Sequence, residues 1–279
     1  MSTQLATILV PAHDEAAVIA RTLAPFRGVS RFHVIVIANG CTDDTAREAR
    51  AALPSATVLE TAIPGKTHAL NLGRAKAAAD LPLICLDADL VVTPQSLDAL
   101  IAPLLSGAAL AACGRMRADT AGASAAVRAY YRAWALNPYF ANGKFGGLFA
   151  LSPMGAARVF PVPQVTADDE YIRRSFAPHE TAFVPACAFT AAAPRSLPAL
   201  FAVRRRSLRG ARAVRARLGA RHAAGSAGGM LRAAMRRPSR WADVLVFSAV
   251  AAAVRLALAV ERPDRAQRWE RDLTTREAR

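Results

Sequence analysis

The chain has 279 residues, and 53% of them are hydrophobic. This length and composition allow a large α/β domain with an appendage and exclude a mainly disordered protein. The formal net charge of +15 predicts an anionic partner such as a nucleotide, a nucleic acid or a lipid surface. Four cysteines without C-x-x-C spacing favour the reducing cytoplasm over a secreted, disulfide-bonded protein, and no signal peptide is visible.

Up to about residue 118, short apolar runs alternate with helical patterns. Strands are predicted at residues 7–11, 33–38, 57–60 and 109–113. Helices are predicted between them, one capped by Thr42 and another beginning at Pro94 after the capping residue Thr93. Strands that alternate with helices of about ten to fifteen residues indicate βαβ units and a mainly parallel sheet flanked by helices.

One further apolar run ends in an acidic pair. Residues 83–86 are all apolar, and Asp87 and Asp89 follow them. If the chain stays extended there, side chains two residues apart point the same way, so the two carboxylates should project together. The carboxyl ends of strands are where open α/β sheets bind ligands, and paired carboxylates suit Mg²⁺ or Mn²⁺. The alternative is that the pair caps the next helix, a role that Thr93 already fills.

Beyond residue 118 the alternation loosens, although several elements are still predicted. They are a helix at 123–136, a glycine-containing loop at 142–147, a strand at 148–151, a helix after Ser152, a helix opened by the acidic residues 168–170, and a strand at 181–192. These elements complete a first domain that is predicted to cover residues 1–195.

Residues 196–279 are predicted to form a basic, helical C-terminal region. No Asp or Glu occurs in residues 181–242, whereas thirteen arginines lie from Arg195 to Arg240. A glycine-rich hinge is predicted at 225–229. Such a concentration of arginine attracts phosphate groups, whether of a nucleotide, of RNA or of an anionic membrane.

The segment 241–260 is nearly all apolar and about as long as a membrane span, for which roughly 20 residues suffice. It is rich in alanine, however, and it contains Asp243 and Arg255. A charged residue well inside a span costs about 2.5–3 kcal/mol. A helix that lies on the membrane surface, or packs on the protein, is therefore favoured over a true span.

Four stretches together resemble glycosyltransferase family 2, whose members have the GT-A fold. They are Val10–Glu15 (VPAHDE), Ala38–Thr45 (ANGCTDDT), Gly65–Asn71 (GKTHALN) and Leu86–Asp89 (LDAD). Their order and spacing are similar to the family from residue 5 to about residue 176. The resemblance implies a GT-A, Rossmann-like sheet and an inverting transfer of a sugar from a nucleoside diphosphate, UDP above all, to an acceptor hydroxyl.

The resemblance also implies that the first half of the sheet binds the donor. The implied donor-binding residues are Pro11, His13, Glu15, Asn39, Asp43, Lys66, Asn71 and Asp87. Lys66 would supply a positive charge to the diphosphate, the alternative being a solvated loop lysine. Glu15 and Asp43 would lie near the nucleoside, although each also suits the first turn of a helix. Asn39 stands where relatives commonly carry Asp, and its amide could still pair with a pyrimidine.

By the same resemblance, Asp89 is the metal ligand, and Asp87 contacts the metal or the ribose. Asp168 and Asp169 are similar to the family's acidic pair at a helix start, so that Asp169 would be the general base and Asp168 would lie on the acceptor side. The alternative is an ordinary acidic first turn of a helix. Gly146 and Gly147 would line the acceptor site and leave room for a sugar.

One departure from the family concerns the motif Gln-x-x-Arg-Trp of many processive members. The nearest match is Val203–Ser207, in which both flanking residues are replaced and only Arg206 could meet the diphosphate. A solvated or membrane-facing role is an equal alternative for Arg206. The missing tryptophan argues against a polymerising synthase and favours the transfer of a single sugar.

The expected function is therefore metal-dependent glycosyl transfer in the synthesis of a cell-surface glycan, glycolipid or polysaccharide, at the inner face of the cell membrane. One alternative is a sugar-nucleotide pyrophosphorylase, but the glycine-rich loop of those enzymes is missing after the first strand. The other is a basic protein that binds RNA or an anionic membrane. Few aromatic residues accompany the arginines, so base stacking is poorly supported and no nucleic acid is expected.

Overall fold

The computed structural model describes residues 4–137, 145–219, 232–233 and 235–261. Residues 142–144 of the predicted glycine-containing loop and the predicted hinge at 225–229 lie outside the described residues. Within these limits the chain forms two compact units. The first takes its residues from Met1–Arg117 and Gly143–Ala191, and the second from Ala118–Asn142 and Ala192–Glu277.

The first unit is built on an eight-stranded sheet with the order β3-β2-β1-β4-β7-β6-β8-β5. Its strands are β1 (Ala6–Ala12), β2 (Phe32–Asn39), β3 (Thr57–Thr61), β4 (Leu83–Leu86), β5 (Leu90–Val92), β6 (Ala111–Asp119), β7 (Leu148–Leu151) and β8 (Thr181–Ala192). The strands β3, β2, β1 and β4 run parallel to one another. Strand β7 is antiparallel to β4 and to β6, and β5 is antiparallel to β8. The predicted α/β fold is confirmed.

Helices cover both faces of the sheet. In the first unit they are α1 (Ile19–Leu23), α2 (Thr45–Ala52), α3 (Lys66–Arg74), α4 (Pro94–Leu105), α6 (Pro153–Val159) and α7 (Asp168–Arg174); the second unit contains α5 (Ala125–Trp134), α8 (Leu197–Leu218) and α9 (Trp241–Ala259). Alternate residues of β1 enter two different cores: Ile8 and Val10 pack in one, and Leu9 in the other. This arrangement explains why the parallel strands are apolar at consecutive positions.

The starts of two helices test the predicted capping residues. Thr93 caps α4 as predicted, since its side chain accepts a hydrogen bond from the backbone N–H of Ser96 at 3.2 Å. The predicted cap at Thr42 is wrong, because α2 begins only at Thr45. Thr42 instead donates its backbone N–H to the Asp14 carboxylate at 2.7 Å, and this contact holds the residue in the loop before the helix.

The second unit joins α5 with the two C-terminal helices. Tyr130 of α5 stacks on Phe247 of α9, with ring centroids 4.9 Å apart. Asp243 of α9 accepts two hydrogen bonds from Arg132 of α5, at 2.6 and 3.0 Å. Helix α5 therefore packs with the C-terminal region, although it precedes residue 195 in the sequence. The expected domain division at residue 195 stays a prediction.

Helix α9 is unusually exposed for so apolar an element. The segment Pro238–Ala259 has a mean hydropathy of 1.9 in its most apolar window, and 22% of that window is buried. By length and composition it could cross a membrane. Its buried residues are Asp243, Val250, Val254 and Leu258, so one side packs on the unit, and much of the remaining surface is exposed.

Candidate active site

The residues predicted to bind ligands follow the ends of adjacent strands. Because β1, β2 and β4 are parallel, the segments that leave their carboxyl ends meet at one edge of the sheet. Strand β7 is antiparallel to β4 and pairs Leu148 with Leu86, so the segment that enters β7 reaches the same edge. Residues 13–15, 87–89 and 146–147 are thereby gathered in one region.

Asp87, Ala88 and Asp89 form a turn between β4 and β5, closed by a hydrogen bond from the backbone N–H of Leu90 to the carbonyl of Asp87 at 3.2 Å. The expectation that the two aspartates project together from an extended chain is therefore wrong in its geometry. The turn nevertheless keeps both carboxylates at the sheet edge, partly exposed. The assignment of Asp89 and Asp87 as metal ligands stays a prediction.

Gly147 packs directly against Asp87. The backbone N–H of Asp87 donates to the carbonyl of Gly147 at 2.9 Å. A Cβ atom at Gly147 would lie 2.5 Å from Asp87 Oδ2, and the φ of Gly147 is +88°. Both observations require glycine at this position. The first also shows that the glycine lies directly against the acidic pair. Gly146 and Gly147 are predicted to line the acceptor site; the structure adds that Gly147 packs against Asp87.

Lys66 lies at the first position of α3 and bridges two acidic residues that are distant in sequence. Its Nζ lies 2.7 Å from Asp87 Oδ1 and 3.0 Å from Asp168 Oδ2. Burial lowers the pKa of Lys66, but the negative charges of Asp168, Asp87 and Asp169 outweigh this effect and raise the pKa well above its usual value. The ammonium group is therefore firmly charged.

Asp168 is the buried member of this cluster, with a side chain that is 6% exposed. Burial raises its pKa most, the positive charge of Lys66 opposes this, and the charges of Asp169 and Asp87 add to the increase; the resulting pKa is about 6. A carboxyl group whose pKa is perturbed by burial and by a charged partner is typical of functional sites. Lys66 thus joins the predicted donor side to the predicted acceptor side.

The three acidic residues that open α7 have different surroundings. Asp168 contacts Lys66, whereas Glu170 forms ion pairs with Arg173 and Arg174 at 2.8 and 2.6 Å. Asp169 is partly exposed, and its Oδ1 accepts a hydrogen bond from the backbone N–H of Glu170 at 2.8 Å. Glu170 therefore stabilises the helix, and Asp169 is the acidic residue of this turn that reaches solvent without an ion pair to a described residue.

Asn39, at the end of β2, is 2% exposed and is engaged by the protein itself. Its Nδ2 donates to the carbonyl of Ala12 at 2.7 Å, and its Oδ1 accepts from the backbone N–H of Gly65 at 2.9 Å. The amide thus ties β1 to the loop that carries Lys66. A direct contact with the base would require one of these bonds to be replaced, and it stays a prediction.

The residues that follow β1 are held against the loop after β2. Pro11 is buried in β1, opposite Ile37. Glu15 is 6% exposed, and its backbone N–H donates to Thr45 Oγ1 at 2.7 Å. His13 is partly exposed. Their predicted contacts with the nucleoside stay predictions, but all three lie at the carboxyl edge of the sheet.

Asp43 and Asn71 both have structural roles in addition to their predicted ligand roles. The Asp43 carboxylate accepts the backbone N–H groups of Thr45 and Ala16, each at 3.0 Å, and so joins the starts of two helical segments. The Asn71 amide donates to the carbonyl of Val162 at 2.9 Å and accepts the N–H of Val162 at 2.7 Å. Asn71 therefore anchors the segment that leads towards α7.

Arg206 lies on α8 in the second unit, and its predicted contact with the diphosphate stays a prediction. Asp14, which is not among the site residues predicted from the sequence, is the described non-glycine residue with a positive φ (+50°). Its carboxylate accepts the Thr42 backbone N–H at 2.7 Å. An aspartate directly after a strand tolerates this conformation and offers a side-chain acceptor, which is the signal that could have identified it.

Comparisons with known proteins agree with this fold. Residues 7–158 match the family model "Glycosyl transferase family 2". A search of curated proteins by sequence gave no match. The fold is similar to that of the mannosyltransferase PcManGT from Pyrobaculum calidifontis, solved with GDP-Man and Mn²⁺: the TM-score is 0.61, the identity is 20%, and the match covers 94% of this chain and 77% of that one.

A second similar structure is glucosyl-3-phosphoglycerate synthase from Mycobacterium tuberculosis, in complex with Mn²⁺, UDP and glucosyl-3-phosphoglycerate. The TM-score is 0.56 and the identity is 20%, over 77% of this chain and 80% of that one. At such identities the similarity establishes the fold alone. The family match covers more than half of the chain, and it includes all four stretches that carried the resemblance. The chain belongs to glycosyl transferase family 2.

Proposed function

We propose that this chain transfers one sugar from a nucleoside diphosphate sugar, with inversion, to an acceptor hydroxyl in the synthesis of a cell-surface glycan, glycolipid or polysaccharide. The observation that supports this most strongly is the contact of Lys66 with both Asp87 and Asp168. One cation there serves the residue proposed for the donor and the residue proposed for the acceptor. Such a site brings the two substrates together at a single point.

The donor site is proposed to use a divalent metal, held by Asp89 and Asp87. Carboxylate oxygens are the ligands that Mg²⁺ and Mn²⁺ prefer, and both aspartates lie in one turn at the sheet edge, so the donor set fits. The metal would stabilise the negative charge of the departing nucleoside diphosphate. PcManGT was solved with GDP-Man and Mn²⁺, and the synthase with UDP and Mn²⁺. For this chain we propose UDP as the nucleoside diphosphate of the donor.

Lys66 is proposed to contact the diphosphate. Its ammonium group is charged and lies 2.7 Å from Asp87, so a small side-chain movement brings it to a phosphate bound beside that residue. Preorganised positive charge stabilises a leaving group as charge develops on it. When Lys66 moves, its ion pair with Asp168 is weakened. Asp168 can then accept a hydrogen bond from an acceptor hydroxyl.

Asp169 is proposed to be the general base. It lies next to Asp168 in the first turn of α7 and is partly exposed, so an acceptor hydroxyl can reach it. Removal of the hydroxyl proton on the face of the sugar opposite to the diphosphate gives a single displacement with inversion. Until Lys66 moves to the diphosphate, Asp168 holds this turn through its contact with Lys66.

Donor binding can be tested by thermal unfolding of the chain with UDP-, GDP- and dTDP-sugars, each with and without Mn²⁺. We expect one donor to raise the melting temperature only when Mn²⁺ is present, because a ligand that binds the folded state stabilises it. Asp89→Asn should remove this effect, whereas Asp80→Asn, at an exposed position, should retain it. If no nucleotide sugar stabilises the chain with Mn²⁺, the proposal is contradicted.

We also propose that the enzyme works at the cytoplasmic face of an anionic membrane, with α9 on the lipid surface. Trp241, Leu245 and Leu256 of α9 are 57%, 71% and 69% exposed, a large apolar area for a helix in water. Its buried Asp243 forms ion pairs with Arg132 and Arg240, so its charge stays compensated when the helix lies beside lipid. Each exposed arginine near anionic lipid contributes about 1 kcal/mol of attraction.

A further inference from the structure

Three side chains with different metal-binding groups converge beside the ends of β1 and β2. They are the imidazole of His13, the carboxylate of Asp14 and the thiol of Cys41, and one ligand atom from each lies within 4.8 Å of the others. Among the described residues this is the cluster of three His, Cys, Asp or Glu side chains that meets such a distance limit. None of its members belongs to the acidic turn at Asp87–Asp89.

The backbone holds the three groups in this arrangement. Asp14 adopts a φ of +50°, and its Oδ1 accepts hydrogen bonds from the N–H and the hydroxyl of Thr42, at 2.7 and 3.3 Å. Cys41 precedes Thr42, and its thiol lies 3.6 Å from the carbonyl of Ala12, at the end of β1. The two loops are therefore fixed to each other, and binding a ligand between them would require little ordering of the chain.

His13 provides an independent observation. Its Nδ1 is buried from solvent and has no hydrogen-bond partner among the described residues. A buried polar atom without a partner costs roughly 1–3 kcal/mol, and native structures usually supply a partner. A metal ion that binds His13 through Nδ1 would satisfy this nitrogen, and neutral imidazole is the form of histidine that binds metal.

We propose that His13, Asp14 and Cys41 bind a zinc-class transition metal ion, at a site separate from the acidic turn. A thiolate, an imidazole and a carboxylate form a borderline-soft set that suits Zn²⁺ or Co²⁺ in tetrahedral geometry, with one position left for water or a ligand. Mg²⁺ and Mn²⁺ prefer oxygen ligands and are disfavoured by the thiolate. The set is thus selective against the metal proposed for the donor site.

Cys41 is the thiol of this chain that is suited to such a role. Cys85, Cys113 and Cys187 are buried in the core, and burial raises the pKa of Cys113 and of Cys187 to about 12. Thiols of that kind stay protonated, whereas a metal requires the thiolate. Cys41 is partly exposed at the loop surface, where metal ions can enter and a displaced proton can leave.

The position of this metal site should affect binding of the donor, an inference that rests on the proposed function. His13 and the neighbouring Glu15 are the residues proposed to face the nucleoside of the donor. An ion bound by His13 would remove the imidazole from the donor and narrow the space for the base. We therefore expect Zn²⁺ to weaken donor binding while Mn²⁺ supports it.

Cobalt spectroscopy tests the site itself, without any nucleotide. Titration of the intact, metal-free chain with Co²⁺ should produce a near-ultraviolet thiolate-to-cobalt charge-transfer band that saturates at one equivalent, and Zn²⁺ should abolish it. Cys41→Ala should remove the band, and His13→Ala should weaken Co²⁺ affinity at least about tenfold. Asp89→Asn, the control in the proposed donor site, and Cys187→Ala, a control thiol, should leave the band unchanged.

A second measurement uses the unsubstituted chain and avoids any loss of folding. One equivalent of Zn²⁺ should slow the alkylation of Cys41 by iodoacetamide at least about tenfold, since a metal-bound thiolate is shielded, while Mn²⁺ should leave the rate unchanged. The absence of a charge-transfer band, its persistence in Cys41→Ala, or equal alkylation rates with and without Zn²⁺ would overturn the proposal. None of these results depends on donor binding, so the two proposals fail separately.

Discussion

At the scale of single residues, Gly147 controls the position of Asp87 through close packing. Substitution by alanine introduces a Cβ atom 2.5 Å from Asp87 Oδ2 and forces a side chain into a backbone conformation with a φ of +88°. The second effect alone costs about 1–2 kcal/mol. Gly28 has a similar φ of +73°, with nothing within 4 Å of a built Cβ atom, so Gly28→Ala isolates the backbone cost.

We expect Gly147→Ala to weaken the binding of the nucleotide sugar with Mn²⁺ at least about tenfold, because Asp87 must move. Gly28→Ala should leave binding within about twofold, although both variants should lose stability. Calorimetric titration of the donor measures the first effect, and denaturant unfolding the second. Equal donor affinities for the two variants would show that Asp87 is not part of the donor site.

The ionisation of Asp168 predicts a dependence of stability on pH. Its pKa rises from 3.8 to about 6 in the folded chain, mainly through burial. The folded state therefore binds the proton more tightly than the unfolded chain. Its stability is highest when Asp168 is protonated and falls by up to about 3 kcal/mol as the pH rises from about 4 to above 6.

The comparison with Asp168→Asn, in metal-free buffer, isolates this effect. The free energy of unfolding of the unsubstituted chain minus that of the variant should decrease as the pH rises through this window. Asp80→Asn should show no such trend. Denaturant unfolding at several pH values measures the difference, and a difference that stays constant or increases with pH contradicts the raised pKa.

At the scale of elements, the exposed surface of α9 predicts attachment to anionic lipid. Leu245→Glu places a charge on the exposed surface of α9 and should abolish co-sedimentation with vesicles of phosphatidylcholine and phosphatidylglycerol. Met154→Glu, at an equally exposed position (both are 71% exposed) on α6 of the first unit, is the matched control and should still bind.

Two other outcomes of the vesicle experiment are informative. Loss of binding in neutral phosphatidylcholine vesicles is expected, because the arginines supply part of the attraction. Equal binding by Leu245→Glu and Met154→Glu would contradict the role of α9. Tight binding of an oligonucleotide without lipid would favour RNA as the partner of the arginines.

The sequence predicts elements well where local chemistry marks their ends. Helix α4 begins where predicted, and strands β7 and β8 have the predicted bounds, since Thr93 and Pro94 mark the start of α4 and Ser152 and Pro153 follow β7. The start of α2 was predicted wrongly, because Thr42 is held by Asp14, a residue 28 positions away. Strand β6 extends further than predicted, to Asp119, since its charged residues conceal the pattern.

The candidate site could be predicted only in part, because some of its contacts join residues that are distant in the sequence. The motifs supply the residue types, and the parallel order of the strands gathers them at one edge. The bridge by Lys66, in contrast, joins Asp87 to Asp168, and it depends on long-range contacts such as the hydrogen bond by which Asn71 anchors the segment before α7. No local pattern carries such long-range contacts, or the engagement of the Asn39 amide by Ala12 and Gly65.

At the scale of the whole molecule, a first unit built on the mixed sheet carries the proposed catalytic residues, and a second unit carries most of the arginines and the apolar helix. This division explains the uneven charge along the sequence. The proposed catalytic site and the proposed membrane-binding region therefore lie in different units, and substitutions can change one without changing the other. We propose that the first unit breaks the bond between sugar and diphosphate in a single displacement assisted by Asp169.

The most direct test of this claim is proton NMR of the sugar released from an α-linked nucleotide sugar in the presence of Mn²⁺, with water as the acceptor. We expect the nucleoside diphosphate to be released and the β anomer to appear first. Asp169→Asn should lose this release while its donor affinity stays within about twofold of the parent value, and Asp80→Asn should retain both. Appearance of the α anomer first, or an undiminished rate in Asp169→Asn, would contradict the account.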